Sequence, residues 1–290
     1  MKKLLQLTQP VYLLWAILAC FLGAGIARYL GHLPHWPTFW LGLLACLSLL
    51  VALSWLTHYF RLPLTPLDPE ETPRQRELLR TRLLQFSYAA LTLAGAATLA
   101  LLLTHLLTRS AGLLLLLAAF LVVLYAVPPF RLYASGYGEL LLAVLVSTLF
   151  PAFAFLLQAE TLHRLLPMIT FPLTVHAIAS LLAADFSAFA TDQKLGRQSL
   201  LIRLTWPRAV TVHHLLLLIA FLLFSAAPLF GVSWGLIGPV FFALPFAALE
   251  IAWLQRIAAG GRPVWKFFNA LVFSAFPLTL YLLTLSFWLR

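Results

Sequence analysis

Charge is what this sequence has least of. Only 10% of its 290 residues are charged, and nine of those are acidic. Ordinary soluble domains are about 25% charged and about 45–50% apolar. With 62% hydrophobic residues and a mean hydropathy of +0.96, the chain falls outside that class and inside the membrane class. Alternation of apolar and polar residues is also missing. A membrane-spanning chain must satisfy its backbone polar groups within helices or within a closed barrel. Long unbroken apolar runs exclude the barrel and leave helices. The two cysteines, Cys20 and Cys46, both lie inside such runs, where they serve as small packing residues and say nothing about redox compartment. A small-residue cleavage site is absent after the first run, so MKK and the run that follows read as a first anchor rather than a signal peptide.

Nine apolar runs are present: Val11–Leu30, Thr38–His58, Leu83–Leu107, Ala111–Val127, Gly138–Leu157, Leu165–Ala184, Val210–Phe230, Trp234–Leu254 and Trp265–Leu289. Each approaches the ~20 residues that a bilayer core requires. The expected fold is all-α, a polytopic membrane protein of nine transmembrane helices, with residues 1–290 forming one membrane domain. The net charge of +10 then reads as topology rather than as a nucleic-acid surface. With the N-terminus in the cytoplasm, only Arg28, Arg109, Arg164 and Arg290 of the 19 Lys and Arg residues fall outside, and the other fifteen face in. That is the positive-inside bias. Eight of the nine carboxylates, all but Glu160, fall at or near the same face. Carboxylates contribute little to topology, so polar chemistry is expected there.

Three loops on that face are long. Tyr59 to Arg82 contains TPRQ, in which Thr72 caps a helix that starts at Pro73 and runs into the third span. Pro128 to Tyr137 is held by Pro128, Pro129 and Gly136. The third follows the sixth span and reads ADFSAFATDQKLGRQSLLIRL, Ala184 to Leu204. Seven residues separate Asp185 from Asp192, close to two helical turns, which places both on one face about 10 Å apart. Carboxylates beside Lys194 and Arg197 either form interfacial salt bridges or hold a divalent cation that in turn holds a phosphorylated ligand.

DFSAFATDQKLGRQSLLIRL resembles the second aspartate-rich motif of the UbiA-type intramembrane prenyltransferases. Asp185, Asp192, Gly196, Arg197, Ser199, Leu200 and the pair Arg203–Leu204 fall in register. LYAVPPFRLYASGYGEL, Leu124 to Leu140, is similar to the Pro-Pro segment of that family, best known in its naphthoate-prenylating, menaquinone-pathway branch. The resemblance covers essentially the whole chain. It implies nine helices and an integral, multi-pass protein of a bacterial or archaeal plasma membrane, with its polar loops cytoplasmic. It also implies prenyl transfer from an isoprenoid diphosphate to a small aromatic or quinone-precursor acceptor. The implied partners are those two substrates and membrane lipid, with no nucleic acid, and the implied cofactor is Mg2+.

The departures concern the metal. The family's first motif falls on Thr57-His58-Tyr59-Phe60-Arg61-Leu62-Pro63-Leu64-Thr65, where His, Arg and Thr replace three aspartates and only the Tyr-Phe pair survives. Ala188 replaces the middle aspartate of the second motif, and Tyr133 replaces the lysine of the Pro-Pro segment. Carried over residue by residue, the resemblance assigns metal contact to Asp185 and Asp192, with Asp68 as a weaker substitute downstream of the first motif. It assigns diphosphate oxygens to Arg131, Lys194 and Arg197, and Arg61 joins them where a carboxylate would have stood. No residue is assigned as acceptor base. Asp68, Glu70 and Glu71 also read simply as charge ahead of the helix at Pro73. His58, and the pair His213–His214, suggest no ligand set. Glu139 and Glu250, near helix ends, are functional candidates because intramembrane carboxylates are costly. The missing carboxylates favour a second reading, a non-catalytic paralogue that binds a prenyl lipid, quinone or partner subunit. A transporter is disfavoured, since no pair of short Gly/Pro-broken helices recurs in matching halves.

Overall fold

A computed structural model describes residues 7–61, 72–194 and 196–290. Among them no strand occurs, and nine helices are long and apolar enough to cross a membrane. They are α1 (Pro10–Tyr29), α2 (Trp36–Arg61), α3 (Pro73–Leu103), α4 (Arg109–Ala126), α5 (Gly138–Leu156), α6 (Leu165–Lys194), α7 (Trp206–Phe230), α8 (Trp234–Ala258) and α9 (Trp265–Trp288). A one-turn helix, Leu200–Leu204, lies between α6 and α7.

The local signals explain the bounds. At the start of α3 the Thr72 hydroxyl accepts from the Gln75 backbone N–H at 3.3 Å, and the Gln75 side chain accepts from the Thr72 N–H at 3.2 Å. This capping box, with Pro73 just inside the helix, satisfies donors that the first turn would otherwise leave orphaned. The helix then runs 31 residues, ten more toward its N-terminus than the apolar run alone marks. Two helices depart from regular winding. Leu145–Leu149 of α5 is a π turn, and α6 tightens into a 3-10 turn at Phe186–Ala188 before resuming to Lys194. The second departure carries the chain past Asp185 to Asp192 without a loop.

Helices α1, α5, α6 and α9 form the centre. α1 packs against both α5 and α9, and α6 packs against α5, α7 and α9. In the most apolar stretch of α5 and of α6, 78% of the residues are buried, against 28% in those of α3 and α4, which form the outer rim of the bundle. Close approach, not hydrophobic drive, holds helices together in lipid. A Cβ at Gly23 of α1 would overlap the Pro151 carbonyl of α5, so only glycine lets these two meet. Polar stitches supplement packing. Trp288 Nε1 donates to the Phe21 carbonyl at 2.9 Å, and the hydroxyls of Thr148 and Thr174 are 2.7 Å apart between α5 and α6.

Candidate functional site

The ends of α2, α4, α5 and α6 that share one face bring together the two segments singled out in the sequence. The Pro-Pro segment leaves α4 through a cis Pro128–Pro129 peptide and reaches Arg131, whose φ of 44° is in the left-handed region. A non-glycine residue there is strained unless its surroundings hold it. Arg131 is held: its Nη2 donates to the Phe60 carbonyl of α2 at 2.8 Å and to the Tyr133 hydroxyl at 3.1 Å. Its Nε is buried and has no hydrogen-bond partner.

The second segment folds back on the first. Gly196, with φ of +66°, turns the chain after α6, the usual task of glycine just past a helix. Arg197 then points inward. Its backbone N–H bonds the Asp192 carbonyl at 3.0 Å, and its Nε donates to the Tyr133 carbonyl at 3.3 Å. The next residue, Gln198, donates its N–H to the Ala134 carbonyl at 3.1 Å. Gly136 has φ of +79°, and a Cβ there would strike the Arg203 side chain. That side chain lies 4.6 Å from the centre of the Tyr137 ring and 3.3 Å from its hydroxyl.

Three carboxylates converge on Arg197. Nη1 lies 2.9 Å from Asp192 Oδ2, while Nη2 lies 3.5 Å from Glu139 Oε1 and 3.9 Å from Asp185 Oδ1. The acids are almost fully enclosed, with exposures of 1% for Asp192, 6% for Glu139 and 9% for Asp185. Burial alone would pull the guanidinium pKa down, but Asp185, Asp192 and Glu139 more than offset it and hold it above the ordinary arginine range. Glu139 sits in the first turn of α5, where the helix dipole favours a negative charge. Beside this group the Tyr125 ring of α4 lies 6.1 Å from the Tyr133 ring.

Of the residues expected to act, the structure thus gathers Asp185, Asp192 and Arg197 into one cluster. Arg131 is one residue away from it through Tyr133, and Arg61 is the last residue of α2, which ends at the same face. Lys194 is exposed at the end of α6. Asp68 lies outside the described residues, as do Glu70 and Glu71. Glu139, a candidate because it is an intramembrane carboxylate near a helix end, belongs to the cluster although nothing in the sequence links it to Arg197. Glu250 does not join it. It is fully buried in α8, 3.4 Å from Nε2 of the equally buried His213 of α7.

The cluster does not suit a divalent ion as it stands. Among the described residues no three His, Cys, Asp or Glu side chains are arranged to hold a metal. Asp185, Asp192 and Glu139 instead close around a guanidinium.

No protein-family model matches the sequence, and no curated protein matches it. Solved structures do. A UbiA homolog from Archaeoglobus fulgidus bound to GPP and Mg2+ superposes with a TM-score of 0.64 at 16% identity, over 97% of this chain and 99% of the other. The same homolog bound to DMAPP and Mg2+ gives 0.63 at 18% identity with the same coverage. A digeranylgeranylglyceryl phosphate synthase structure gives 0.58 at 16% identity, over 97% and 98%. At these identities the likeness is one of fold, and it spans the whole bundle.

Proposed function

We propose that this chain is a UbiA-type prenyltransferase that moves a prenyl group from an isoprenoid diphosphate to an aromatic or quinone-precursor acceptor within the membrane. One observation carries the reading: the Pro-Pro segment and the Asp192–Leu204 segment, which resemble two separate family motifs, are stitched together at one face of a nine-helix bundle. Neighbours of the same fold bind GPP or DMAPP.

In this reading the prenyl chain lies among the apolar helices and the diphosphate meets the charged face. Arg131, Lys194 and Arg61 bind its oxygens. Charge-assisted hydrogen bonds from a planar guanidinium suit phosphate well. Their catalytic value lies in meeting the negative charge that grows on the leaving diphosphate as the C–O bond breaks. Arg197 reaches a phosphate oxygen only by giving up a carboxylate. The charged face is cytoplasmic in this reading, the membrane is a bacterial or archaeal plasma membrane, and the naphthoate branch supplies the first acceptors to try.

The replacement of first-motif aspartates by His58, Arg61 and Thr65 favours one other reading, a paralogue that holds a prenyl lipid without transferring it. A single assay separates the two. Purified protein is incubated with labelled prenyl diphosphate and a panel of aromatic acceptors, and both bound and transferred label are counted. Transfer supports the enzyme. Binding with no transfer to any acceptor supports the paralogue, and absence of both overturns the family reading.

A further inference from the structure

The cluster at Arg197 sets three carboxyl groups against one guanidinium. Glu139, Asp185 and Asp192 come from three positions on two helices, and their carboxylates converge on a single guanidinium. Both oxygens of Glu139 and Oδ2 of Asp185 are buried without a hydrogen-bond partner. Buried carboxylates left in this condition are costly unless a cation stands among them. In many phosphate-handling sites such carboxylates hold a divalent ion, with water and phosphate completing its shell. Here the central position is filled by a side chain whose own attachment is secure. The Arg197 backbone is tied to Asp192, its Nε to Tyr133, and Gln198 to Ala134.

We infer that Arg197 is the resident cation of this carboxylate site, filling the place a divalent ion would take and keeping the site free of metal. A guanidinium cannot dissociate. It spreads its charge over several donors and so reaches three acids at once. The inference deepens the proposed function and rests on it for one consequence only: a diphosphate at this face is met by fixed side-chain charge rather than by a metal held on Asp185 and Asp192. The carboxylates then serve to hold Arg197 in place and to fix the Pro-Pro segment that bears Arg131.

The test counts ions instead of turnover. Wild type and Arg197→Gln are purified without metal and titrated with Mn2+, with bound ion measured by electron paramagnetic resonance. Removing the guanidinium leaves three carboxylates facing one another, so the variant should bind about one more Mn2+ per chain than wild type. Its thermal midpoint should rise with Mn2+ more than that of wild type. Equal stoichiometry in the two proteins would overturn the inference. If Arg197→Gln does not fold, the double variant Arg197→Gln, Asp185→Asn carries less repulsion and still offers Glu139 and Asp192. It too should gain the ion, and a failure to gain it counts against the inference. Counting the difference between proteins removes any contribution from carboxylates elsewhere. Since no prenyl diphosphate is present, the result stands apart from the fate of the prenyltransferase reading. An extra ion with no prenyl binding anywhere would sustain Arg197 as resident cation and sink the proposed function.

Discussion

Arg197 Nη1 lies 2.9 Å from Asp192 Oδ2, across a turn that Gly196 makes in the left-handed region. The two residues are five apart in sequence, and the turn is what lets the second reach back to the end of the helix that carries the first. Asp192→Asn removes the shortest of the three ion pairs while Glu139 and Asp185 remain. We expect a loss of about 1.5–3 kcal/mol, the range for a hydrogen bond to a charged group. Thermal unfolding in detergent would show it, and an unchanged midpoint would mean that the pair contributes nothing to stability.

The same turn distinguishes two glycines. Gly196 has open space where a Cβ would go, so Gly196→Ala pays only for its backbone conformation, about 1 kcal/mol. Gly136 is also in the left-handed region, but a Cβ there meets Arg203 as well. Gly136→Ala should therefore lower the unfolding midpoint more than Gly196→Ala. The opposite order in a side-by-side melt would contradict the packing described for Arg203 on Tyr137.

His213 and Glu250 form a second polar pair, at 3.4 Å with both side chains fully buried. Breaking such a pair from one side leaves a buried group uncompensated and costs about 3–5 kcal/mol, whereas replacing both partners by apolar residues is often neutral. His213→Leu and Glu250→Leu should each be strongly destabilising, and the double replacement much less so. A double-mutant cycle of unfolding free energies measures the coupling. Additive losses would show that the two do not act as a pair.

Prenyl-diphosphate binding should depend on fixed cations more than on added metal. Arg131, with a buried Nε that has no hydrogen-bond partner, is placed to give one charge-assisted bond, so Arg131→Ala should weaken binding about tenfold or more. Chelation should weaken wild-type binding by less than that, and Arg61→Asp should weaken binding or make it metal-dependent. Affinity measured with and without chelator in the three proteins decides the matter. Complete loss of wild-type binding on chelation would return the role to a bound metal.

Topology is open to a separate check. From the fifteen-to-four distribution of Lys and Arg we expect the start of the chain in the cytoplasm and Arg290 outside. A reporter fused at Arg290 that is active only in the cytoplasm would reverse this assignment.

The helices were legible because lipid imposes a simple rule: a span must be long, apolar and helical. That rule found all nine among the described residues. It misplaced ends where the helix outruns the apolar stretch, as at Trp206, four residues before the expected start at Val210, and at Lys194, ten beyond Ala184. The capping box at Thr72 corrected this for α3, since it marks a helix start by hydrogen bonding rather than hydropathy. The two aspartates were found by their spacing. Glu139 stood out as an intramembrane carboxylate near a helix end, but its meeting with Arg197 did not, because that depends on a turn at Gly196 and on the packing of two loops. The pairing of Glu250 with His213 was hidden for the same reason: they lie 37 positions apart on neighbouring helices, and no local pattern links them.

At 31 residues, α3 is about 46 Å long, while the hydrocarbon core of a bilayer is about 30 Å thick. Roughly ten residues of it must therefore stand among the lipid headgroups or beyond. Those are the first turns, which carry Arg74, Arg76, Arg80 and Arg82, with Arg80 set 4.6 Å from the centre of the Tyr59 ring at the end of α2. The capped start of α3 is thus a post rising from the bilayer surface. Arginines near a surface of anionic lipid each add about 1 kcal/mol of attraction. In a membrane of anionic lipid, neutralising the headgroups should therefore act on this post before it acts on the buried helices.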